Sequence, residues 1–226
     1  TGYALQCAQA TGAEVISCDS RQIYRFMDIG TAKPDRLQRA AVVHHMIDIV
    51  TPDESFSAFS FAEKAGDIIR RNHREGKRSL VCGGTGLYFQ CLCEGVGPRV
   101  CADPGFREEY TRKVRDEGKR AVYEELAAAD PPTAARSHPN NVQRNIRALE
   151  IMHHTGVPFS TLRQRREGPS DMDFRVFILT AGREKLYARI DTRVEDMFQR
   201  GLEMEFDSLL ARGYGEKDPG MNTIGY

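Results

Sequence analysis

Ser79-Leu80-Val81-Cys82-Gly83-Gly84-Thr85-Gly86 reads as a short apolar strand that runs straight into a glycine-rich turn. An apolar run of this length bounded by turn signals is the pattern of a buried strand. Two adjacent glycines let backbone amides approach an anion, and the Thr85 hydroxyl adds a donor. An ordinary strand-to-helix turn is the plainer reading, and one glycine cluster by itself is a weak signal. Upstream, Glu14–Cys18 places Val15 and Ile16 between polar turns as a second buried strand, which ends in the polar loop Asp19-Ser20-Arg21-Gln22. His45–Val50 (HMIDIV) reads as another strand. Ser57 offers an N-cap to a helix in which Phe61, Ala65, Ile68 and Ile69 recur at spacings of four and three, stopped by Gly76. Thr1–Ala10 is a short helix ended at Thr11-Gly12. Helix, strand, strand, helix, strand and glycine turn predict an α/β domain with a largely parallel sheet.

Farther along, the character changes. Asp103–Gln164 has helical periodicity, several prolines and dense charge, with no convincing strand. Arg136–Arg166 holds Arg136, Arg144, Arg147, Arg163, Arg165 and Arg166 against one acid, Glu150, a surplus of five positive charges. Phe174–Thr180 (FRVFILT) is then a strong strand, which most simply returns the chain to the sheet. A helix with Leu186, Ile190 and Val194 follows, and Gly201 separates it from a helix containing Phe206, Leu209 and Leu210. The expected organisation is a core over 1–102 and 171–226, interrupted by a helical insertion over 103–170.

Composition narrows the classes. The chain has 226 residues, 40% hydrophobic and 28% charged, which excludes disordered and collagen-like chains. Thirty-two basic residues balance 32 acidic ones, so a globally basic coat is excluded while a local basic face is not. No apolar run approaches the roughly 20 residues that span a membrane. The six cysteines suggest reduced thiols in a cytoplasmic protein, and Cys91 and Cys93 are too close for the usual zinc spacing. The chain opens at Thr1-Gly2-Tyr3-Ala4-Leu5 and stops at Ile224-Gly225-Tyr226, which reads as a piece of a longer protein.

Five constellations can carry chemistry. Asp19 follows a buried strand, where open α/β sheets bind ligands; it suits a general base, and equally a turn cap. Gly83-Gly84-Thr85-Gly86 suits an anion. Lys33 in Gly30-Thr31-Ala32-Lys33-Pro34 can meet a phosphate, although such a loop is more often structural. His44 and His45 sit on opposite faces of a strand and suit packing or hydrogen bonding better than a metal. Asn141 can cap a helix whose first turns carry Gln143, Arg144, Asn145, Ile146 and Arg147, with Arg144 and Arg147 on one face, placed to contact RNA or solvent. Arg183 opens a helix just after the Phe174–Thr180 strand, a place that suits a diphosphate or simply a surface arginine.

Together, ISCDSRQIYRFMDIGTAKP, HHMIDIV, LVCGGTGLYFQCL, HPNNVQRNIRALEI and REKLYARIDTRVEDM resemble the successive signatures of the tRNA dimethylallyltransferase (tRNA isopentenyltransferase) family, in that family's order and over nearly the whole chain. The resemblance implies a P-loop-type α/β fold with a helical insertion that grips the anticodon arm of tRNA. It implies transfer of a dimethylallyl group from dimethylallyl diphosphate to the exocyclic N6 amine of the adenine directly 3′ of the anticodon, assisted by Mg²⁺. The family's Gly-Lys-Thr phosphate loop is not in this sequence; Thr1, eighteen residues ahead of Asp19, fits the position of its final threonine.

The family's chemistry suits these residues. The adenine amine is a poor nucleophile that must lose a proton as it attacks, which makes Asp19 the expected base and Thr85 its companion. Thr1 and Arg183 are expected to serve the diphosphate, with Thr1 also a ligand of Mg²⁺. Asp19, Ser20, Arg21, Gln22, Gln143, Arg144, Asn145, Ile146 and Arg147 are expected to contact tRNA. The chain is expected to act as a monomer away from membranes. The alternatives are a small-molecule kinase, an isopentenyltransferase acting on free adenine nucleotides, and a non-catalytic RNA-binding module of the same fold.

Overall fold

Strand β1 (Ala13–Ser17) is buried at every position, as expected of a strand covered on both faces. Helix α1 (Gly2–Thr11) precedes it, and helix α2 (Arg36–Ala41) leads to strand β2 (His44–His45). Helix α3 (Ala58–Arg74), strand β3 (Arg78–Cys82) and helix α4 (Gly86–Glu94) follow. The computed structural model describes residues 2–95, 100–164, 169 and 171–226. The sheet is parallel in the order β2-β1-β3, with Val15 opposite His44 and Ser17 opposite Cys82.

Alternation along β1 divides the core. Ala13 and Val15 pack with Ala8 of α1 and Val42, while Ile16 and Cys18 pack with Phe61 and Ala65 of α3 and Tyr88 and Leu92 of α4. The Phe61 and Tyr88 rings stack 4.3 Å apart. Ser57 caps α3 as expected, its hydroxyl accepting from the Ser60 amide at 3.0 Å. The six cysteines form no disulfide, and burial pushes the Cys18 thiol up to about 12, which makes it a packing residue.

Two expected strands differ. His45–Val50 pairs with β1 only at its start, because Met46 (φ 63°) and Asp48 (φ 56°) turn the backbone left-handed. Residues 48–50 bond instead to residues 22–25, with Ile49 N donating to Ile23 O and Arg25 N to Val50 O, both at 2.8 Å. Phe174–Thr180 forms no strand among the described residues. Phe174 reaches the core, but Val176 to Leu179 are 67–83% exposed. The β-branched and aromatic residues favour extended backbone, yet a strand exists only where a neighbour supplies ladder bonds, and none of the described segments does so here.

Two compact units result, Thr1–Cys93 with Pro169–Tyr226, and Glu94–Gly168. The second holds α5 (Pro104–Glu117), α6 (Lys119–Ala129), α7 (Pro131–Ala134), α8 (Val142–Thr155) and α9 (Phe159–Gln164), around Val122, Leu126, Ile146 and Leu149. In the first, α10 (Arg183–Gln199) and α11 (Leu202–Ala211) close the order, α11 burying Leu209 against Ile23, Tyr24 and Met27.

Candidate active site

β1 and β3 end side by side, and each runs directly into a loop. Cys18 N donates to Cys82 O at 2.8 Å and Thr85 N to Cys18 O at 3.2 Å. Ser20 N donates to Thr85 Oγ1 at 2.9 Å, and that hydroxyl donates to Ser20 Oγ at 3.3 Å. Gly83 permits this approach: a Cβ there would fall 2.2 Å from Cys18 O and 2.4 Å from Cys18 C. The adjoining glycines thus serve backbone proximity, and Thr85 is the one side chain the turn contributes to the crevice at the strand ends.

Asp19 is half-buried in that crevice. Its Oδ1 accepts from the amides of Arg21 at 2.8 Å and Gln22 at 3.4 Å. That is the turn-capping role, filled by one oxygen. Among the described residues Oδ2 carries no bond. A carboxylate anchored through one oxygen and open at the other is suited to receive a proton.

The neighbouring polar residues are mostly engaged by the protein itself. Gln22 Oε1 accepts from Ser17 Oγ at 2.9 Å, and its Nε2 donates to the carbonyls of Thr31 and Ala32 at 3.2 and 3.3 Å. Arg21 Nη1 donates to Pro219 O at 3.4 Å. Lys33 is buried, donating to Tyr24 O at 2.5 Å and pairing with Asp28 at 2.8 Å and Asp48 at 2.6 Å. It anchors three loop segments, the structural reading of its glycine-bearing loop. Burial works against the Asp48 carboxylate, but Lys33 and Arg39 outweigh it and hold its pKa below the usual range.

A further anchor carried no sequence signal. Glu205 of α11 accepts from the amides of Asp28 at 2.9 Å, Ile29 at 3.0 Å and Gly30 at 3.2 Å, and from the Tyr226 hydroxyl. Three successive amides make a nest for an anion, here filled by a carboxylate from far along the chain.

Arg183 bonds within its own helix rather than to this group. It is exposed and donates from Nε and Nη2 to the Tyr187 hydroxyl at 3.1 and 2.9 Å, one turn along its own helix. No described bond joins it to Asp19 or Thr85. Thr1, Arg165 and Arg166 lie outside the described residues, as does the Arg163 side chain.

In the helical unit, the start of α8 divides by face. Gln143 and Arg144 are exposed. Asn145 is fully buried, accepting from Ser137 Oγ at 2.5 Å and donating to His138 O at 3.1 Å, and Ile146 lies in the core. Both therefore hold the helix in place in this arrangement. Asn141 occupies the N-cap position without a side-chain bond; its carbonyl accepts from Asn145 N at 3.0 Å. Arg147 donates to Val100 O at 2.7 Å and pairs with Glu150 at 2.5 Å. Glu150 is fully buried and also accepts from Arg107 Nε at 2.8 Å and Asp103 N at 2.7 Å. Burial raises its pKa, but these bonds outweigh burial and hold it at about 2.

The histidines behave as hydrogen-bonding residues. His45 Nε2 lies 2.7 Å from Glu14 Oε2, and His44 Nδ1 lies 2.7 Å from Val42 O. The His45 bond holds Glu14 at about 2, against burial and with help from Lys77. Glu14 and Glu150 are thus both depressed from an ordinary 4.5 to about 2. Their contribution to stability is complete above pH 4.5 and is lost as pH falls toward 2. Urea unfolding at stepped pH is expected to show a steep loss in that window, and Glu150→Gln is expected to flatten it.

Among the described residues no three His, Cys, Asp or Glu side chains gather to hold a metal ion. Mg²⁺ commonly keeps waters and takes substrate phosphates with one or two protein oxygens, and its expected ligand, Thr1, lies outside the described residues. No described helix is long and apolar enough to cross a membrane.

A parallel α/β sheet with a carboxylate and a threonine in the loops at its strand ends, plus a separate helical unit, is an α/β architecture of the kind that binds ligands at the carboxyl ends of its strands. The IPP transferase family profile matches residues 22–226. The tRNA dimethylallyltransferase of Syntrophobacter fumaroxidans is 43% identical over 228 residues, covering 100% of this chain and 66% of its own length. The solved tRNA delta(2)-isopentenylpyrophosphate transferase of Staphylococcus epidermidis is 33% identical with a TM-score of 0.64, over 100% of this chain and 73% of that one. A solved eukaryotic dimethylallyltransferase acting on tRNA is 29% identical with a TM-score of 0.78, over 92% of this chain and 52% of that one. The chain belongs to the IPP transferase family.

Proposed function

We propose that this chain carries the catalytic centre of a tRNA dimethylallyltransferase. The observation that carries the reading is the bonded pair of loops at the strand ends, Ser20 N to Thr85 Oγ1 at 2.9 Å, in which Asp19, next to Ser20, bonds the turn amides through Oδ1 while its Oδ2 carries no bond among the described residues. The nucleophile is the N6 amine of the adenine directly 3′ of the anticodon, and the donor is dimethylallyl diphosphate. As the allylic C–O bond breaks, the N6–C bond forms, Asp19 takes the departing N6 proton and diphosphate leaves. Thr85 orients the reacting groups, and Thr1 and Arg183 hold the diphosphate. The Thr1 hydroxyl would be among the ligands of Mg²⁺, which would neutralise charge on the departing diphosphate. The adenine leaves its stack to react, at a cost of a few kcal/mol that contacts from the helical unit offset. The protein works as a cytoplasmic monomer.

Incubating the protein with anticodon-arm RNA and dimethylallyl diphosphate tests this. The expected product is RNA heavier by one dimethylallyl group at that adenosine. Modification of free adenine nucleotides but not of RNA would favour the nucleotide-directed alternative, and RNA binding without transfer the non-catalytic one.

The exposed Arg144 is the clean probe of RNA contact in the helical unit. Arg144→Glu is expected to weaken binding and reduce the salt slope by about one, as for a lost phosphate contact. Arg147→Glu is unsuitable, because it would set a second carboxylate against buried Glu150. Unchanged affinity for Arg144→Glu in a salt titration would mark this part of α8 as a solvated face.

A further inference from the structure

Phe26 is held in a conformation that bulky L-residues avoid. Its φ is 68°, in the left-handed region, and its side chain is 40% exposed. Strain of this kind persists only where its surroundings enforce it, and it gathers at functional sites. Here it turns an aromatic ring outward. The Arg212 guanidinium carbon lies 4.3 Å from the ring centroid, and the Tyr214 ring stacks at 6.4 Å with 27° between planes.

This cluster is continuous with the Asp19 turn. Tyr24 N donates to Arg21 O at 3.2 Å, so the backbone runs as tight turns from Asp19 to Phe26. Both parts rest on one C-terminal stretch, Arg21 bonding Pro219 O and Phe26 meeting Arg212 and Tyr214. The local charges are of both signs, with exposed Glu54 near Arg25 but bonded to the Thr51 amide and hydroxyl. Arg25 and Arg212 are exposed, while nearby Asp28 and Asp48 are taken up by Lys33, and Glu205 by the 28–30 amides. Exposed aromatics interleaved with guanidinium groups suit unpaired nucleotides, whose bases stack and whose phosphates pair with arginine.

We infer that Phe26 and Arg212 form a stacking platform for an unpaired nucleotide of the substrate RNA, a contact that fixes the loop on the protein without touching the reacting atoms. The inference rests on the proposed action on RNA. Phe26 supplies the ring face and Arg212 a cationic backing that reaches an adjoining phosphate. Neither takes part in bond breaking, so the platform acts on RNA binding rather than on the chemical step.

Titration of anticodon-arm RNA against wild type, Phe26→Gly, Phe26→Leu and Phe26→Tyr, beside transfer kinetics and melting, tests this. Phe26→Gly is expected to bind roughly 5- to 150-fold more weakly, the range of one lost base–aromatic stack. KM for RNA rises accordingly and kcat at saturating RNA stays within about twofold. Its melting temperature stays within a few degrees of wild type, because glycine is at home in left-handed backbone. Phe26→Tyr retains binding, and Phe26→Leu, apolar without a π face, does not. Wild-type affinity in Phe26→Gly or Phe26→Leu overturns the platform while leaving action on RNA intact. A fall in binding matched by a fall in melting temperature that Phe26→Tyr shares overturns it too, in favour of packing. If wild type itself does not bind the RNA, the functional reading falls, and the platform with it.

Discussion

Asp19→Asn is expected to slow single-turnover dimethylallyl transfer by about 10²–10⁴-fold, the usual worth of a positioned general base. The substitution keeps size and shape. An asparagine can present its carbonyl oxygen to the amides of Arg21 and Gln22, so the turn that Asp19 Oδ1 now caps at 2.8 Å is retained. What is lost is the second oxygen's capacity to take the N6 proton. Binding of RNA and donor should change little, since the missing interaction matters in the transition state. Transfer under saturating enzyme and donor, beside an RNA titration, measures both quantities. Near wild-type transfer would assign the proton to another group. Loss of RNA binding together with activity would make Asp19 a recognition or capping residue only.

Glu150→Leu is expected to destabilise the helical unit by about 1–3 kcal/mol, the cost of a lost charged hydrogen-bond acceptor. It removes the acceptor shared by the Asp103 amide and the Arg107 and Arg147 guanidinium groups, all now within 3.0 Å of the carboxylate, although the two arginines are partly exposed and can turn to water. RNA affinity should fall in step with the unfolded fraction rather than through a lost contact. Replacing Arg107, Arg147 and Glu150 together with apolar residues of similar volume should recover most of the stability, because paired desolvation costs then vanish as well. Urea unfolding followed by helical signal measures both variants. A Glu150→Leu protein as stable as wild type would show that α5 and α8 are held by the apolar core alone.

Much of the architecture was legible in the residues. Val15 and Ile16 between turns, Leu80 and Val81 before two glycines, and the periodic apolar positions of α3 each carried their own local signal. Asp19 and Thr85 could be singled out because strand ends are where parallel sheets place chemistry. Their family resemblance was legible too, since five successive blocks keep one order along the chain. That Phe174–Thr180 forms no strand among the described residues was not legible in the same way, because strand propensity is local while a ladder partner is not.

The sequence by itself determined the helix α3 and the strands β1 and β3, which loops hold an acid or a hydroxyl, and where basic charge is concentrated. These follow from side-chain periodicity and turn chemistry within a few residues. Only the tertiary structure decided how the polar residues are used. Lys33, Gln22 and Asn145 look available in sequence, yet their groups are satisfied by chain segments met only after folding. Glu205 enters the amide nest of residues 28–30 from 175 or more positions away. Arg147 is tied to Glu150 while Arg144, three residues earlier, faces solvent. A buried donor or acceptor must find a partner wherever the fold brings one within reach, and that distance is set by packing rather than by position along the chain.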